Sequence, residues 1–133
     1  MLDINEKLLA ALKQNARKSN LSLAKELGVS EGTIRKHLHD LVAKKVIERF
    51  TVIVRQEASA LIAIKTASGM NTTLISTEIK RITQGTIFEV AGTYDIICFI
   101  HAENLDRVNE LVEKIRALKG VIETQTVPVL KEV

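Results

Sequence analysis

The 133-residue sequence predicts an α+β protein with two domains: an N-terminal helix-turn-helix, winged-helix-like, and a C-terminal ferredoxin-like βαββαβ sandwich. Two observations predict this architecture. Two short helical patterns separated by a glycine occupy residues 21–47, and two βαβ patterns of similar length follow between residues 60 and 130. We place the helix-turn-helix domain at residues 1–50, an extended connection at 51–58 and the second domain at 59–133.

The helix-turn-helix follows a supporting helix, which we expect from Ile4 to about Ala16 with Asp3 as its cap. Gly28 comes after the second helix and tolerates the left-handed backbone that a tight turn requires. Ser30 then stands at the N-cap of the third helix. The apolar residues of that helix recur at i, i+4 and i+7 and form one inward stripe: Ile34, Leu38 and Leu41.

The outward face of the third helix is polar and basic. It comprises Glu31, Gly32, Arg35, Lys36 and His39. Such a face suits insertion into the major groove of DNA. Residues 1–50 contain ten Lys and Arg against six Asp and Glu, or +4, whereas residues 51–133 contain nine against ten, or −1. The positive charge therefore lies where phosphate attraction would require it. The alternative is a helical hairpin with a solvated charged face.

The β-branched run at residues 46–54 predicts extended backbone, part of it a small wing. In the second domain the pattern predicts strands near residues 60–66, 87–91, 95–101 and 121–130, with helices near 72–83 and 105–118. First strands begin 35 residues apart and second strands 34 apart, as expected for two similar βαβ units. Pro128 falls in the last strand, which lies at an edge in this topology.

Two predicted strands are apolar on both alternating faces, at residues 61–64 and 96–100. Two helices can cover only one face of a four-stranded sheet, so we expect the other face to pack against a second copy of the chain. A symmetric dimer would also present two recognition helices to successive major grooves, roughly 34 Å apart. The alternative is that the connection at residues 50–58 covers this face.

Several classes of function are disfavoured. No apolar run approaches the roughly 18 residues of a membrane-spanning helix, so we expect a cytoplasmic protein without a membrane partner. The single cysteine, Cys98, lies in an apolar segment typical of a buried residue. His37 and His39 point in different directions on a helix, and His101 has no second ligand at a metal-site spacing. We expect no enzymatic activity, no metal and no cofactor.

A series of short motifs runs in order along the chain: Leu2-Asp3, Asn15-Ala16-Arg17, Leu23-Ala24, Leu27-Gly28-Val29-Ser30, Thr33-Ile34, Val46-Ile47, Arg49-Phe50-Thr51, Gly92-Thr93-Tyr94-Asp95 and residues 124–130. In these motifs the sequence resembles the Lrp/AsnC family of transcriptional regulators over essentially its whole length. The chain departs from the family pattern at His37, where an arginine is usual, and at Lys45, where a glycine is usual. Its connection between residues 54 and 61 is also shorter than usual.

The resemblance implies a regulator that binds double-stranded DNA, assembles as dimers and often as tetramers or octamers, and senses an amino-acid effector between dimers. It implies effector contacts from Gly92, Tyr94 and Asp95, with Thr124 and Thr126 contributed by a neighbouring chain. A glycine turn exposes N–H groups for a carboxylate, and an ionised Asp95 suits an ammonium group. The alternative is an ordinary tight turn in which Tyr94 packs and Asp95 makes a local bond.

At the DNA end we expect contacts from Ser30, Thr33, Arg35, Lys36 and His39. Arg35 could read a guanine or bind a phosphate, and the sequence leaves both possibilities open. Lys44, Lys45 and Arg49 could contact the DNA backbone or form a solvated edge. Two other functions stay open: an oligomeric interaction module that senses a metabolite, and a protein that coats DNA without sequence preference or effector control.

Overall fold

The computed structural model describes residues 3–55 and 58–133, and it divides into two compact units between Ile53 and Val54. Unit 1 contains the helices α1 (Ile4–Gln14), α2 (Asn20–Leu27) and α3 (Glu31–Ala43). Unit 2 contains β1 (Ala58–Thr66), α4 (Thr72–Thr83), β2 (Thr86–Glu89), β3 (Ile96–Ala102), α5 (Leu105–Arg116) and β4 (Val121–Pro128). No helix within the described residues is long and apolar enough to cross a membrane.

Helix α1 begins at a capping box. The Asp3 carboxylate accepts the Glu6 N–H at 2.8 Å, and the Glu6 carboxylate accepts the Asp3 N–H at 3.1 Å. The helix ends two residues earlier than predicted, because Asn15 adopts extended backbone with φ −154°. The Asn15 side chain then accepts the Arg17 N–H at 3.0 Å, a local bond that competes with continued helix.

The core of unit 1 lies between the three helices. It is formed by Leu8 and Ala11 of α1, Leu23 and Ala24 of α2, and Ile34 and Leu41 of α3. The predicted inward stripe of α3 is confirmed, since Ile34 and Leu41 are buried and the half-buried Leu38 packs against the same cluster. This packing fixes which face of α3 remains outside.

The segment predicted to be extended, in part as a small wing, forms no strand at residues 46–55. Val52 and Val54 are exposed, and Ile53 is fully exposed. A β-branched composition favours extended backbone, but a strand also needs a neighbour to accept and donate its ladder hydrogen bonds. Among the residues that the structure describes, this segment pairs with no strand.

The sheet of unit 2 has the antiparallel order β2-β3-β1-β4. This order, with α4 and α5 on one face, confirms the predicted ferredoxin-like sandwich. Every strand and helix of unit 2 begins and ends within two residues of its predicted position. Strand β4 lies at an edge, where Pro128 pairs with Ala60 without interrupting a second ladder.

The core of unit 2 fills the space between the sheet and its two helices. The fully buried strand residues are Ala60, Ile62, Ile64, Ile96, Cys98 and Ile100, and the helices contribute Ile75, Ile79, Val108, Leu111, Val112 and Ile115. The connection between α4 and β2 approaches β3 closely at Gly85. A Cβ atom there would lie 2.6 Å from the Phe99 carbonyl oxygen and 2.8 Å from Ile100 Cγ2, so this position requires glycine.

Candidate nucleic-acid interface and effector site

The turn between α2 and α3 is made by three consecutive residues. Gly28 ends α2 in the left-handed conformation with φ 72°, as predicted. The Val29 N–H donates to the Ala24 carbonyl oxygen at 3.0 Å, which closes the end of α2. Ser30 Oγ then accepts the Thr33 N–H at 3.1 Å and so starts α3 as predicted. These local bonds give the chain the tight reversal of a helix-turn-helix.

The residues predicted to contact DNA lie around the outer surface of α3. Ser30, Arg35, Lys36 and His39 are exposed and Thr33 is half-buried, and Glu31 and Gly32 are exposed beside them. Ser30 Oγ and Thr33 Oγ1 are hydrogen-bonded at 2.8 Å, so both hydroxyls already have partners within the chain. The longer side chains of Arg35, Lys36 and His39 lie further along the helix and are exposed.

Arg35 is paired within its own helix. Its Nη2 donates to Glu31 Oε1 at 2.8 Å, while 68% of the Arg35 side chain and 45% of the Glu31 side chain remain exposed. Glu31 was predicted only as an outward residue, and its pairing with Arg35 was not predicted. The spacing could have found it, because a glutamate four residues before an arginine is the favourable orientation on a helix.

His37 points inward from α3. Its Nδ1 lies 2.7 Å from Asn5 Oδ1, and the contact joins α3 to the start of α1. His37 stands where the family pattern usually has an arginine, and here the residue fixes the recognition helix against its support. The departure from the pattern therefore affects the placement of α3.

The chain turns after α3 at Lys45, which has a left-handed φ of 57°. A lysine thus makes the turn at the position where the family pattern usually has a glycine. The Lys44 N–H donates to the Asp40 carbonyl at 2.9 Å, and the Val46 N–H donates to the Leu41 carbonyl at 2.9 Å. Both lysines and Arg49 are exposed beyond the end of the helix.

The predicted effector turn joins β2 to β3. Gly92 is exposed with φ 133°, a conformation that favours glycine. Asp95 Oδ2 accepts the Thr66 N–H at 2.8 Å and the Thr66 hydroxyl at 3.1 Å, and the Asp95 N–H donates to the Ile64 carbonyl at 2.9 Å. The Asp95 side chain thus attaches the turn to the end of β1, 29 residues away in sequence, while the Asp95 carbonyl oxygen accepts the Val90 N–H at 2.9 Å across the turn.

The members of the predicted effector set lie on two sides of the sheet. The Tyr94 hydroxyl donates to Gln125 Oε1 at 2.9 Å, and Gln125 pairs with Ala63 on the face without helices. Thr124 pairs with the buried Ile64, and Thr126 pairs in the same way with Ile62, so both threonines share the helix-covered side. One chain therefore does not bring these threonines together with Tyr94.

The face of the sheet without helices, which we call the open face, is apolar at its centre. Leu61, Phe88 and Val127 are exposed by 40%, 53% and 48%, and Ile97 and Phe99 are half-buried beside them. Near one corner of this face His101 Nδ1 lies 2.7 Å from Ser59 Oγ. Isolated monomers rarely expose apolar patches of this kind without using them.

Two further features bear on possible chemistry. Cys98 is fully buried on the helix-covered face, and burial raises the pKa of its thiol. Within the described residues no three His, Cys, Asp or Glu side chains are grouped to hold a metal ion. A surface concavity of about 370 Å³ lies between α1 and α2, lined by residues such as Lys7, Gln14 and Glu26, and includes none of the effector turn.

The two units match two different family models. Residues 1–48 match winged helix-turn-helix DNA-binding domains, and residues 59–133 match the Lrp/AsnC ligand-binding domain. The chain belongs to the Lrp/AsnC family. The resemblance inferred from the sequence motifs is therefore confirmed, and the protein is a helix-turn-helix transcriptional regulator of that family.

Individual Lrp/AsnC proteins are similar along nearly the whole chain. The sequence is 36% identical over 138 aligned residues to the HTH-type transcriptional regulator LysM of Sulfurisphaera tokodaii, with 98% of both chains covered. The structure of E. coli AsnC superposes with a TM-score of 0.84 at 23% identity, covering 99% of this chain and 94% of that one. A Neisseria meningitidis regulator solved in complex with L-methionine gives 0.87 at 18% identity, covering 100% and 92%. The two structures establish a shared fold.

Proposed function

We propose that this Lrp/AsnC protein is a cytoplasmic, homo-oligomeric regulator that binds specific double-stranded DNA and responds to an amino acid. It acts by binding alone, without catalysis or a cofactor. The observation that carries the proposal is the outer surface of α3, which a tight turn and an inward apolar stripe leave exposed with Arg35, Lys36 and His39 extending from it. This is the arrangement by which a recognition helix enters a major groove.

The proposed DNA contacts are of two kinds, made either by short hydroxyl side chains or by longer side chains. We assign them to Ser30, Thr33, Arg35, Lys36 and His39. The Ser30 and Thr33 hydroxyls, already bonded to each other, would meet a phosphate at the start of the helix, and the longer side chains would reach further into the groove. The excess of positive charge in residues 1–50 supports this placement.

The effector site is formed at the turn between β2 and β3. We assign it to Gly92, Tyr94 and Asp95, with Thr124 and Thr126 from a neighbouring chain. Gly92 leaves backbone N–H groups accessible for a carboxylate, and the Asp95 carboxylate, held by Thr66, would face the ammonium group. The L-methionine complex of the Neisseria meningitidis regulator supports an amino acid as the class of effector.

Assembly through the open face would cover the apolar side of the sheet that the helices leave exposed. The exposed Leu61, Phe88 and Val127 would be buried against their counterparts in a second copy, as in a symmetric interface. Because the threonines of the effector set and Tyr94 lie on opposite sides of one sheet, a site containing both requires a second chain. Dimers would pair two recognition helices, and further assembly to tetramers or octamers would complete the effector sites.

An effector bound between dimers would change the relative placement of the subunits and therefore the fit to paired DNA half-sites. Such coupling is reciprocal: if the effector changes DNA affinity by a given factor, DNA changes effector affinity by the same factor. Equal effector affinity with and without the DNA site would contradict this mechanism.

The first experiment is a thermal-shift screen of the full-length protein against each of the twenty amino acids. A ligand at ~100 times its dissociation constant stabilises the native state by about 2.7 kcal/mol, which a melting curve resolves. We expect one amino acid or one chemical class to raise the melting temperature. If none does, effector control is contradicted, and the regulator would act on DNA alone.

The variant that tests the pocket is Asp95→Asn. The asparagine oxygen can still accept the Thr66 N–H, so the turn is retained while the negative charge is lost. Glu89→Gln is the matched control, because Glu89 lies near the same turn but bonds to Ser76 on α4. We expect only Asp95→Asn to abolish the thermal shift; loss in both variants or in neither would contradict the assignment.

Selection of bound sequences from a randomised duplex pool tests the DNA half of the proposal. We expect the wild-type protein to enrich a sequence containing two half-sites. Binding with equal affinity to all duplexes would instead favour the DNA-coating alternative, and no binding to any duplex would favour the metabolite-sensing module.

A further inference from the structure

We propose that Arg35 reads a guanine base, that Glu31 positions it for that contact, and that Lys36 binds a phosphate. This inference depends on the proposed function, because it divides roles within the same DNA-binding surface. It resolves the choice, left open by the sequence, between base reading and phosphate binding by Arg35.

The geometry leaves Arg35 enough donors for a base. A guanidinium carries five N–H donors, and the bond from Nη2 to Glu31 Oε1 at 2.8 Å uses one of them. Two parallel N–H groups suffice for the O6 and N7 acceptors of guanine. The ion pair also restricts the rotamers of an exposed side chain, so less freedom is lost when the base contact forms.

The charge of Glu31 argues against a phosphate as the partner. A phosphate oxygen approaching Arg35 would also approach the bound carboxylate, and the two anions repel each other. A base edge carries no net charge, and a neighbouring cytosine N4 amino group would donate to the remaining acceptor sites of Glu31. The charges of the Glu31–Arg35 pair therefore suit the base edges in the groove better than a phosphate.

Gly32 leaves room beside this pair. It stands three residues before Arg35 and four before Lys36, so it lies on the same side of α3. A Cβ at Gly32 would have a single neighbour within reach, Ser30 Oγ at 4.0 Å, so nothing in the surrounding fold requires a glycine. Glycine is less favourable than alanine inside a helix, and its presence here is explained by the close approach of a base edge.

Lys36 offers the contrast. It is exposed one residue further along α3, and no acidic side chain of residues 3–55 or 58–133 forms a salt bridge with it. A flexible ammonium is a point charge without the planar fork that reads guanine, and it suits a phosphate.

The test compares two changes in the full-length protein, using duplexes that the wild-type protein selects from a randomised pool and a scrambled duplex of the same composition. The double variant Glu31→Gln/Arg35→Gln removes the pair without changing the net charge. The matched control is Lys36→Gln on the same helix. Affinity for both duplexes is measured over a range of salt concentrations, and melting curves check that each variant is folded.

We expect the double variant to lose about 10- to 100-fold of its preference for the selected duplex, while its salt dependence and its affinity for the scrambled duplex stay at wild-type values. We expect Lys36→Gln to weaken both duplexes by the same factor and to reduce the slope of log K against log salt by about 0.9. Glu31→Gln alone frees Arg35 and should raise affinity for the scrambled duplex.

An unchanged preference in the double variant, or a loss of salt slope equal to that of Lys36→Gln, would overturn the assignment while leaving the proposed function in place. If the wild-type protein enriches no sequence from the pool, sequence-specific DNA binding itself is overturned, and the base-reading role of Arg35 with it.

Discussion

The two faces of the unit 2 sheet are built from the same strands but differ in burial. On the helix-covered face, Ile62 and Ile64 of β1 are fully buried. On the open face, Leu61, which precedes Ile62 on the same strand, keeps 40% of its surface exposed, and Phe88 keeps 53%. Similar apolar residues on one strand therefore differ in burial, because α4 and α5 cover only one side of the sheet. One chain therefore completes one apolar layer, between the sheet and its helices, and leaves the apolar side chains of the open face exposed.

The largest expected effect is a difference in stability between alanine variants of two neighbouring residues on β1, Ile62 and Leu61. Ile62→Ala leaves a cavity in the covered core and should lower the free energy of unfolding by about 2–5 kcal/mol. Leu61→Ala on the open face should change the folding of the dilute monomer much less, and should instead weaken self-association. Denaturant unfolding and sedimentation velocity measure the two quantities. Equal destabilisation of the dilute monomer by both variants, with self-association unchanged, would contradict the comparison.

A second effect tests how tightly the covered face is packed. Gly85→Ala places a methyl group 2.6 Å from the Phe99 carbonyl oxygen, a backbone atom that cannot move cheaply, and should cost about 1–3 kcal/mol. Gly32→Ala is the control, since its methyl group would meet only Ser30 Oγ, at an ordinary contact distance of 4.0 Å, and alanine favours the helix by up to about 1 kcal/mol. Opposite signs are expected in thermal unfolding; a neutral Gly85→Ala would show that the covered face can adjust.

Features that depend on local spacing could be predicted from the sequence. The inward stripe of α3, the left-handed turn at Gly28 and the alternation along β1 each follow from residues a few positions apart. Strand formation at residues 46–54 could not be predicted from composition, because extended backbone becomes a strand only when it has a pairing partner.

Contacts that depend on tertiary placement could not be predicted. The bond from Thr66 to Asp95 joins residues 29 positions apart, and it exists because the sheet register brings the end of β1 beside the turn. The same register places Thr124 on the covered side and Gln125 on the open side. A one-residue shift would exchange them, and no short motif fixes that choice.

The smallest expected effect is a pH dependence of stability that a thiol on the covered face produces and a thiol on the open face does not. Burial on the covered face raises the pKa of Cys98 above that of an exposed thiol, so the unfolded chain loses this proton first as the pH rises. The contribution of the protonated thiol to the free energy of unfolding is fully present below about pH 8.5, the ordinary thiol pKa. It is lost as the pH rises toward the folded-state pKa, and the free energy of unfolding then falls by at most about 1.4 kcal/mol per pH unit. Cys98→Ala should remove this part of the pH dependence and leave the part that comes from the other titratable side chains.

The measurement is the free energy of unfolding of both proteins at several pH values above neutrality, with reductant present. Any constant difference reflects the lost sulfur atom, and only the change of the difference with pH reports the thiol. Leu61→Cys in the Cys98→Ala background moves the thiol to the open face, where water solvates the thiolate in the folded monomer. Its unfolding should then resemble that of Cys98→Ala in pH dependence. A slope as steep as in the wild-type protein would mean that the open face excludes water as well as the covered one does.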